Sequence, residues 1–394
     1  MRDSAKEVLR AIATSGPLSR AQLARDLGLS GPTLTQATKY LMDLGLITEL
    51  ELAPSTGGRP ATLLGLAANA GQVIGVKLAE DHLFGICINL ESEIQFSFSE
   101  EFSARGEEAI EQLTEILRKQ MRRVRGQLLG IGVGFPGVVP SADSSTATSA
   151  MLNWKNLNVG EILSRKLKTP VLLENDVNTL ATSESLFGRA KDISNFLTIT
   201  FGRGIGLGIV INGELYAGTH GAGEIGHVTS DPNGIQCECG KKGCLETIAA
   251  DAGILRRARE LGLANSRTTI QALREIARKD KRIAEKVFKA PAEAVGIALA
   301  NVISVFGPEL ILVSGESSEG WDIWGKWLED SLRKNVVPTM NNFDIELDPW
   351  DDGKWALGAT AIVMRASLTK NPNDGKPIQD VRDRLRIIGG QKIS

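Results

Sequence analysis

The chain has 394 residues, 42% hydrophobic and 23% charged, enough for two or three domains each with its own core. Its net charge of −2 gives no global sign of nucleic acid, so any DNA-binding face must be local. There is no run of eighteen apolar residues, no apolar signal core behind the charged start MRDSAKEVLR, and only four cysteines. These features predict a cytoplasmic protein with neither membrane span nor disulfide.

Residues 3–66 read as a small helical domain with a hairpin. Val8, Leu9 and Ile12 recur at helical spacing in the first helix. Ser19 caps a second helix with Gln22 at the capping-box position, and Gly28 ends it. Ser30 caps a third, with Pro32 in its first turn, running to about Leu44. The short turn at Gly28-Leu29 makes a helix-turn-helix, and strands at 46–50 and 61–64 enclose PSTGGRP as a winged hairpin. The stretch LSRAQLARDLGLSGPTLTQATKYLMDLGLI resembles bacterial winged helix-turn-helix repressors. Thr33, Thr35, Gln36 and Lys39 lie on the outer side of the third helix, placed for base edges or phosphates, and Arg59 at the wing tip for a minor groove. Seven basic residues against six acidic ones in 1–70 leave a weak electrostatic footprint, and a helical protein-interaction module is the competing reading.

A second domain starts with apolar strands at 73–78 and 83–88, joined by a turn at Glu80-Asp81-His82. No Gly-Gly pair in GVKLAEDHLFG lets backbone N–H groups approach a phosphate, and the two acids repel one. A charged amphipathic helix covers 105–125, and a buried strand from Leu128 ends in Phe135-Pro136-Gly137. A strand at 171–173 ends at Glu174-Asn175-Asp176 and opens onto a helix, a usual place for a site in an α/β protein; Asp176 also suits a helix N-cap. Another strand at 196–200 leads into the glycine turn Gly202-Arg203-Gly204.

The stretch from Gly204 to Glu246 carries the densest chemistry. Cys237-x-Cys239-x4-Cys244 places three thiols within eight residues, with His227 ten residues upstream of the first. Three thiolates and an imidazole make a closed tetrahedral set, the chemistry of a structural zinc site. Three of only four cysteines in one cluster argue against chance core cysteines. Glu224 stands three residues before His227, so with one ring nitrogen on zinc the two could face a polar ligand together. A carboxylate and an imidazole held by a rigid metal loop suit a sugar. Helices are expected at 249–261, 269–284 and 292–306, and a strand at 309–315; from Lys370 the polar chain reads as disordered.

GAGEIGH followed by CxCGxxGCLE, with the upstream run GRGIGLGIVINGELYAG, resembles the ROK proteins, bacterial sugar kinases and sugar-responsive repressors. With flanking segments the resemblance covers 71 to about 365, and GGRP resembles the linker of the repressor branch. It implies a two-lobed actin-like (ribonuclease H-like) α/β fold: a winged helix-turn-helix domain at 1–70, then a ROK domain at 71–394. The small lobe would span about 71–180 plus the C-terminal return, and the large lobe about 181–355. It also implies sugar contacts from Asn175, Asp176, Glu224, His227 and Glu246, with Gly137 at the pocket rim or as a plain turn glycine. In kinases of the family the first turn carries an Asp and paired glycines for ATP, which GVKLAEDHLFG lacks. Arg203 stands where a small hydroxyl residue is usual, to pair with phosphate or to fill the cleft, and Ser314-Gly315-Glu316 replaces a glycine pair for adenosine. Residues 355–361 resemble the closing helix.

The expected protein is a sugar-responsive repressor, not an enzyme, with operator DNA and a sugar effector as partners and structural zinc as cofactor. It would form a homodimer or dimer of dimers in which lobe closure alters the spacing of two DNA-binding heads. The alternatives are an ATP-dependent sugar kinase that also binds DNA, and a domain that has lost sugar binding and works through a protein partner.

Overall fold

The computed structural model describes residues 3–52, 62–79, 81–140, 145–368 and 376–390. The chain divides into two compact units: Met1–Leu186 together with Asp352–Ser394, and Phe187–Asp351.

The first unit begins with α1 (Asp3–Ser15), β1 (Leu18–Ser19), α2 (Arg20–Leu27), α3 (Gly31–Asp43), β2 (Ile47–Leu52) and β3 (Thr62–Leu66). The capping box forms as its residues dictate: Ser19 Oγ accepts from the Gln22 N–H at 3.2 Å, and the Ser19 N–H donates to Gln22 Oε1 at 3.1 Å. Gly28 ends α2 at φ 62°, and Ser30 caps α3 with Pro32 in its first turn. The apolar stripe of α1, Val8, Leu9 and Ile12, packs with Leu23, Leu34, Leu41 and Leu64. The sheet has three strands, not two, because Leu18 pairs with Leu64 and Ser19 with Leu63. A two-residue strand is too short to carry a periodic signal.

A five-stranded sheet follows in the order β10-β7-β4-β5-β6. Its strands are β4 (Gln72–Leu78), β5 (His82–Asn89), β6 (Ile94–Glu101), β7 (Leu128–Phe135) and β10 (Val171–Asn175). β4, β5 and β6 run antiparallel, while β7 and β10 run parallel with β4. Between them lie α4 (Gly106–Met121), the small hairpin β8 (Ala147–Ser149) and β9 (Trp154–Leu157), and α5 (Val159–Leu167); α6 (Asp176–Leu186) follows β10.

The second unit carries β11 (Phe196–Phe201), β12 (Ile205–Ile211), β13 (Glu214–Leu215), α7 (Glu246–Ala249), α8 (Asp251–Glu260), α9 (Ile270–Lys279), α10 (Lys281–Ala284), α11 (Ala290–Phe306), β14 (Leu310–Ser314), α12 (Trp321–Asn335) and β15 (Asp344–Leu347). Its sheet order is β13-β12-β11-β14-β15, with β11, β14 and β15 parallel. The helical stretch Lys281–Phe306 passes for a membrane span by length and composition, yet 56% of its most apolar window is buried in the protein. Its Val287, Phe288, Val295, Leu299 and Ile303 belong to this unit's core.

The chain then returns to the first unit as α13 (Asp352–Leu368) and α14 (Lys376–Gly390). α13 lies directly on β4 and β7: a Cβ on Gly75 would sit 2.2 Å from the Ala356 carbonyl oxygen, and one on Gly132 1.8 Å from that of Ala359. Nothing larger than glycine fits where helix and strand backbones touch. The expectation of disorder from Lys370 is corrected at α14. There Val381 is fully buried, the Arg382 guanidinium donates to the Ala366 carbonyl at 3.0 Å, and Arg384 donates to the carbonyls of Leu128 and Lys168. A polar composition concealed one apolar anchor and two arginines that bond backbone carbonyls elsewhere in the unit. Residues 369–375 lie outside the described residues.

Gly132→Ala is expected to lower stability by about 2 kcal/mol or more, although alanine suits a strand better than glycine, because the new methyl must push two backbones apart. Urea unfolding measures it, and an unshifted midpoint would mean that α13 does not seat on β7 this closely.

Candidate metal centre and ligand-binding residues

The cysteine loop is built by backbone turns around small residues. The Cys237 N–H donates to the Lys241 carbonyl at 2.7 Å and the Gly240 N–H to the Cys237 carbonyl at 3.0 Å. Gly243 takes φ +65°, and a Cβ there would lie 1.5 Å from the Asp231 carbonyl oxygen, so only glycine closes the turn before Cys244. Lys241 Nζ donates to the His227 carbonyl at 2.8 Å, tying the two halves of the loop.

These turns bring ligand atoms of His227, Cys237, Cys239 and Cys244 within 4.8 Å of one another. Cys237 Sγ stands 3.7 Å from His227 Nδ1, and Cys239 Sγ 3.6 Å from Cys244 Sγ. A tetrahedral ion with bonds of about 2.0–2.3 Å to nitrogen and sulfur has edges of roughly 3.5–3.8 Å, so the donor spacing fits one metal ion. Desolvation and the neighbouring sulfurs push the Cys244 thiol up to about 12. A bound cation reverses that pressure by stabilising thiolates.

With Nδ1 turned toward Cys237, His227 directs Nε2 at Glu224, whose Oε2 lies 3.9 Å away. Desolvation lifts the Glu224 carboxyl above its usual range; His227 opposes this and Glu246 adds to it. Glu246, at the start of α7, accepts the Ile205 N–H at 3.3 Å and lies beside Gly226. The second unit thus brings Glu224, His227 and Glu246 together.

In the first unit Asn175, Asp176 and Gly137 meet at the carboxyl end of the sheet. Asn175 Nδ2 donates to the Gly137 carbonyl at 2.9 Å, and its Oδ1 accepts the N–H groups of Val177 at 2.9 Å and Asn178 at 3.2 Å. The side chain of Asn175 therefore caps α6, while Asp176 opens the helix and accepts the Val177 N–H at 3.0 Å. Glu174, not singled out as a ligand from sequence, accepts from Asn178 Nδ2 at 3.0 Å and from the Asn175 N–H at 2.9 Å. It braces the strand-to-helix corner from behind.

At the β4–β5 turn the structure adds residues that sequence reasoning missed. Lys77, only 5% exposed, donates to Asp352 Oδ1 at 2.9 Å and lies 4.8 Å from the centre of the Trp355 ring. His82 bonds Asp81 at 2.7 Å through Nδ1 and stands 3.5 Å from Asp352 Oδ2 through Nε2. A pairing across 275 residues leaves no local signal. Glu80 lies outside the described residues.

On α3, Thr33, Thr35, Gln36 and Lys39 are all exposed, as is Tyr40, also missed. Thr33 Oγ1 lies 2.8 Å from Ser30 Oγ, and Thr35 Oγ1 donates to the Gly31 carbonyl at 2.9 Å. Arg59 and the rest of GGRP fall outside the described residues.

The model of the ROK family matches residues 73–366, most of the chain. The chain belongs to the ROK family. A MarR family model matches residues 1–58, the winged helix-turn-helix. Among curated relatives, a xylose repressor of Caldicellulosiruptor bescii is 26% identical over 381 residues, covering 92% of this chain and 95% of its own. The DNA-binding transcriptional dual regulator NagC of Escherichia coli K12 is 29% identical over 374 residues, covering 92% of each chain. A solved ROK family transcriptional regulator, described as a homologue of the Escherichia coli MLC protein, superimposes with a TM-score of 0.79. It is 26% identical and covers 98% of this chain and 97% of its own. The fold is thus a MarR-type winged helix followed by an actin-like ROK domain, as the sequence led us to expect.

Replacing Cys239 by Ser should remove bound metal and lower the thermal midpoint, because three donors hold the loop less well than four. Elemental analysis of the purified wild type should give about one ion per chain. Folded wild-type protein free of metal would end the assignment.

Proposed function

We propose that this ROK protein is a sugar-responsive transcriptional regulator, a repressor, that binds operator DNA and a carbohydrate effector. The observation that carries the reading is the coexistence in one chain of a capped helix-turn-helix and the Glu224–His227 pair on a metal loop. Repressor names among relatives that match over nine-tenths of their length support it. Residues 1–70 form the DNA-binding domain and 71–394 the ROK domain. Thr33, Thr35, Gln36, Lys39 and Arg59 contact DNA, and the protein works in the cytoplasm as a homodimer or dimer of dimers.

Zinc is the proposed metal, held by His227, Cys237, Cys239 and Cys244; it fixes the ring of His227 and supplies no chemistry of its own. Glu224, His227 and Glu246 are proposed as contacts for hydroxyls of the effector, and so are Asn175, Asp176 and the Gly137 turn. A carboxylate accepts hydroxyl protons in charge-assisted bonds, which favours polyols over apolar ligands. The names of relatives, a xylose repressor and an N-acetylglucosamine repressor of Escherichia coli O6:H1, leave the sugar open. Sugar changes operator affinity only by binding one conformation better than another.

The chain is proposed not to phosphorylate its sugar. The stretch GVKLAEDHLFG carries two acids and no Gly-Gly pair to bring backbone N–H groups to a phosphate, and Lys77 is paired with Asp352.

The test is a gel-shift titration of wild type and Glu224→Gln with a sugar panel that includes xylose and N-acetylglucosamine. Glu224→Gln should keep operator affinity while the sugar response weakens by about tenfold, the cost of losing a charged acceptor. A wild-type response in the mutant places the pocket elsewhere. The same panel with ATP and magnesium should show no turnover, and turnover abolished by Asp176→Asn would make the protein a kinase.

A further inference from the structure

The N-terminal part of the exposed face of α3 lacks the groups that most often read guanine. Guanine presents two acceptors, N7 and O6, in the major groove and is read by donors, chiefly arginine or lysine. α3 (Gly31–Asp43) contains no arginine, and its one lysine, Lys39, lies three residues beyond Gln36. In helix-turn-helix docking the N-terminal part of the recognition helix meets the base edges. Here that part exposes Pro32, Thr33, Thr35 and Gln36.

The hydrogen bonds of these residues narrow the choice further. Thr35 has given its only hydroxyl proton to the Gly31 carbonyl at 2.9 Å. It keeps lone pairs, which accept from adenine N6 or cytosine N4, and a methyl, which suits the methyl of thymine. Neither reaches the acceptors of guanine, and the lone pairs suit either pair through its amino group, so it is the methyl contact that favours A·T. Thr33 Oγ1 is engaged with Ser30 Oγ at 2.8 Å, beside the Ser30 cap of the helix. Gln36 is exposed, sits between these threonines and Lys39 on the helix, and makes no hydrogen bond through its side chain among the described residues. Its amide presents an acceptor and a donor side by side, the pair that matches N6 and N7 of adenine.

We infer that α3 reads A·T base pairs: Gln36 binds an adenine through both amide atoms, Thr35 packs on a neighbouring A·T pair, and Lys39 serves a phosphate. The inference rests on the DNA-binding reading above and adds the base pairs that the helix selects.

The test is selection by the full-length protein from a duplex pool with a randomised stretch of about 30 base pairs, room for two half-sites a turn or more apart. Wild type should enrich sites with A·T pairs at the half-site centre. Gln36→Ala, an exposed change to a better helix former, should flatten the preference at one A·T pair of each half-site by about 5- to 100-fold. Lys39→Gln should weaken all sequences alike and reduce the salt slope by about one. A G·C pair at the position that depends on Gln36, or an unchanged preference in Gln36→Ala, overturns the inference while leaving DNA binding intact. Failure of wild type to enrich any sequence overturns the DNA-binding reading and this inference with it.

Discussion

The contact on which the first unit depends is the seam where α13 lies against β4 and β7 with no side chain between backbones. Gly75 and Gly132 make room for the carbonyls of Ala356 and Ala359, and Gly358 faces the Thr179 carbonyl of α6 in the same way. Such closeness maximises dispersion contacts and tolerates no added atom. The helix that fills the seam begins at residue 352, after the whole second unit has been made. The core of the first unit therefore closes through contacts that are far apart in sequence, which slows folding relative to a chain of local contacts.

The second unit solves a different problem: fixing polar groups on a loop that enters the core through Ile225 and Leu245. A short loop with little apolar content cannot hold a carboxylate and an imidazole in register by burial alone. A metal ion held by the three thiols and His227 would supply the missing constraint, and His227 would serve both sides of it. One ring nitrogen faces Cys237 and the other faces Glu224. With a metal bound, the orientation of the carboxylate's partner would be set by the ligand set.

Much of this was legible because its signals are local. The capping box of Ser19 and Gln22, the Ser30 cap and the spacing of the cysteines lie within a few residues of each other, and each appears in the structure as read. What escaped depends on distance or brevity. β1 has two residues, β6 is an edge strand with a largely exposed pattern, and α14 is anchored by Val381 and by arginines that bond backbone carbonyls of β7, of α13 and at the end of α5. The capping of α6 by Asn175, with Asp176 beside it, turns on which of two adjacent side chains points back along the helix, and composition cannot separate them. The pair of Lys77 and Asp352 spans 275 residues and exists only once α13 is seated.

The winged helix is not packaged apart from the rest of its unit. Leu46, Leu66 and Ala70 share one continuous apolar cluster with Val73, Ile86 and Ile88 of the large sheet and Met364 of α13. A linker of polar residues would have insulated the reader of DNA from whatever happens beneath it; this one is greased into place. Anyone exchanging heads between such regulators to rewire a promoter would be cutting through a core. The graft would need to carry the apolar footing beneath the head as well as the helix that touches the bases.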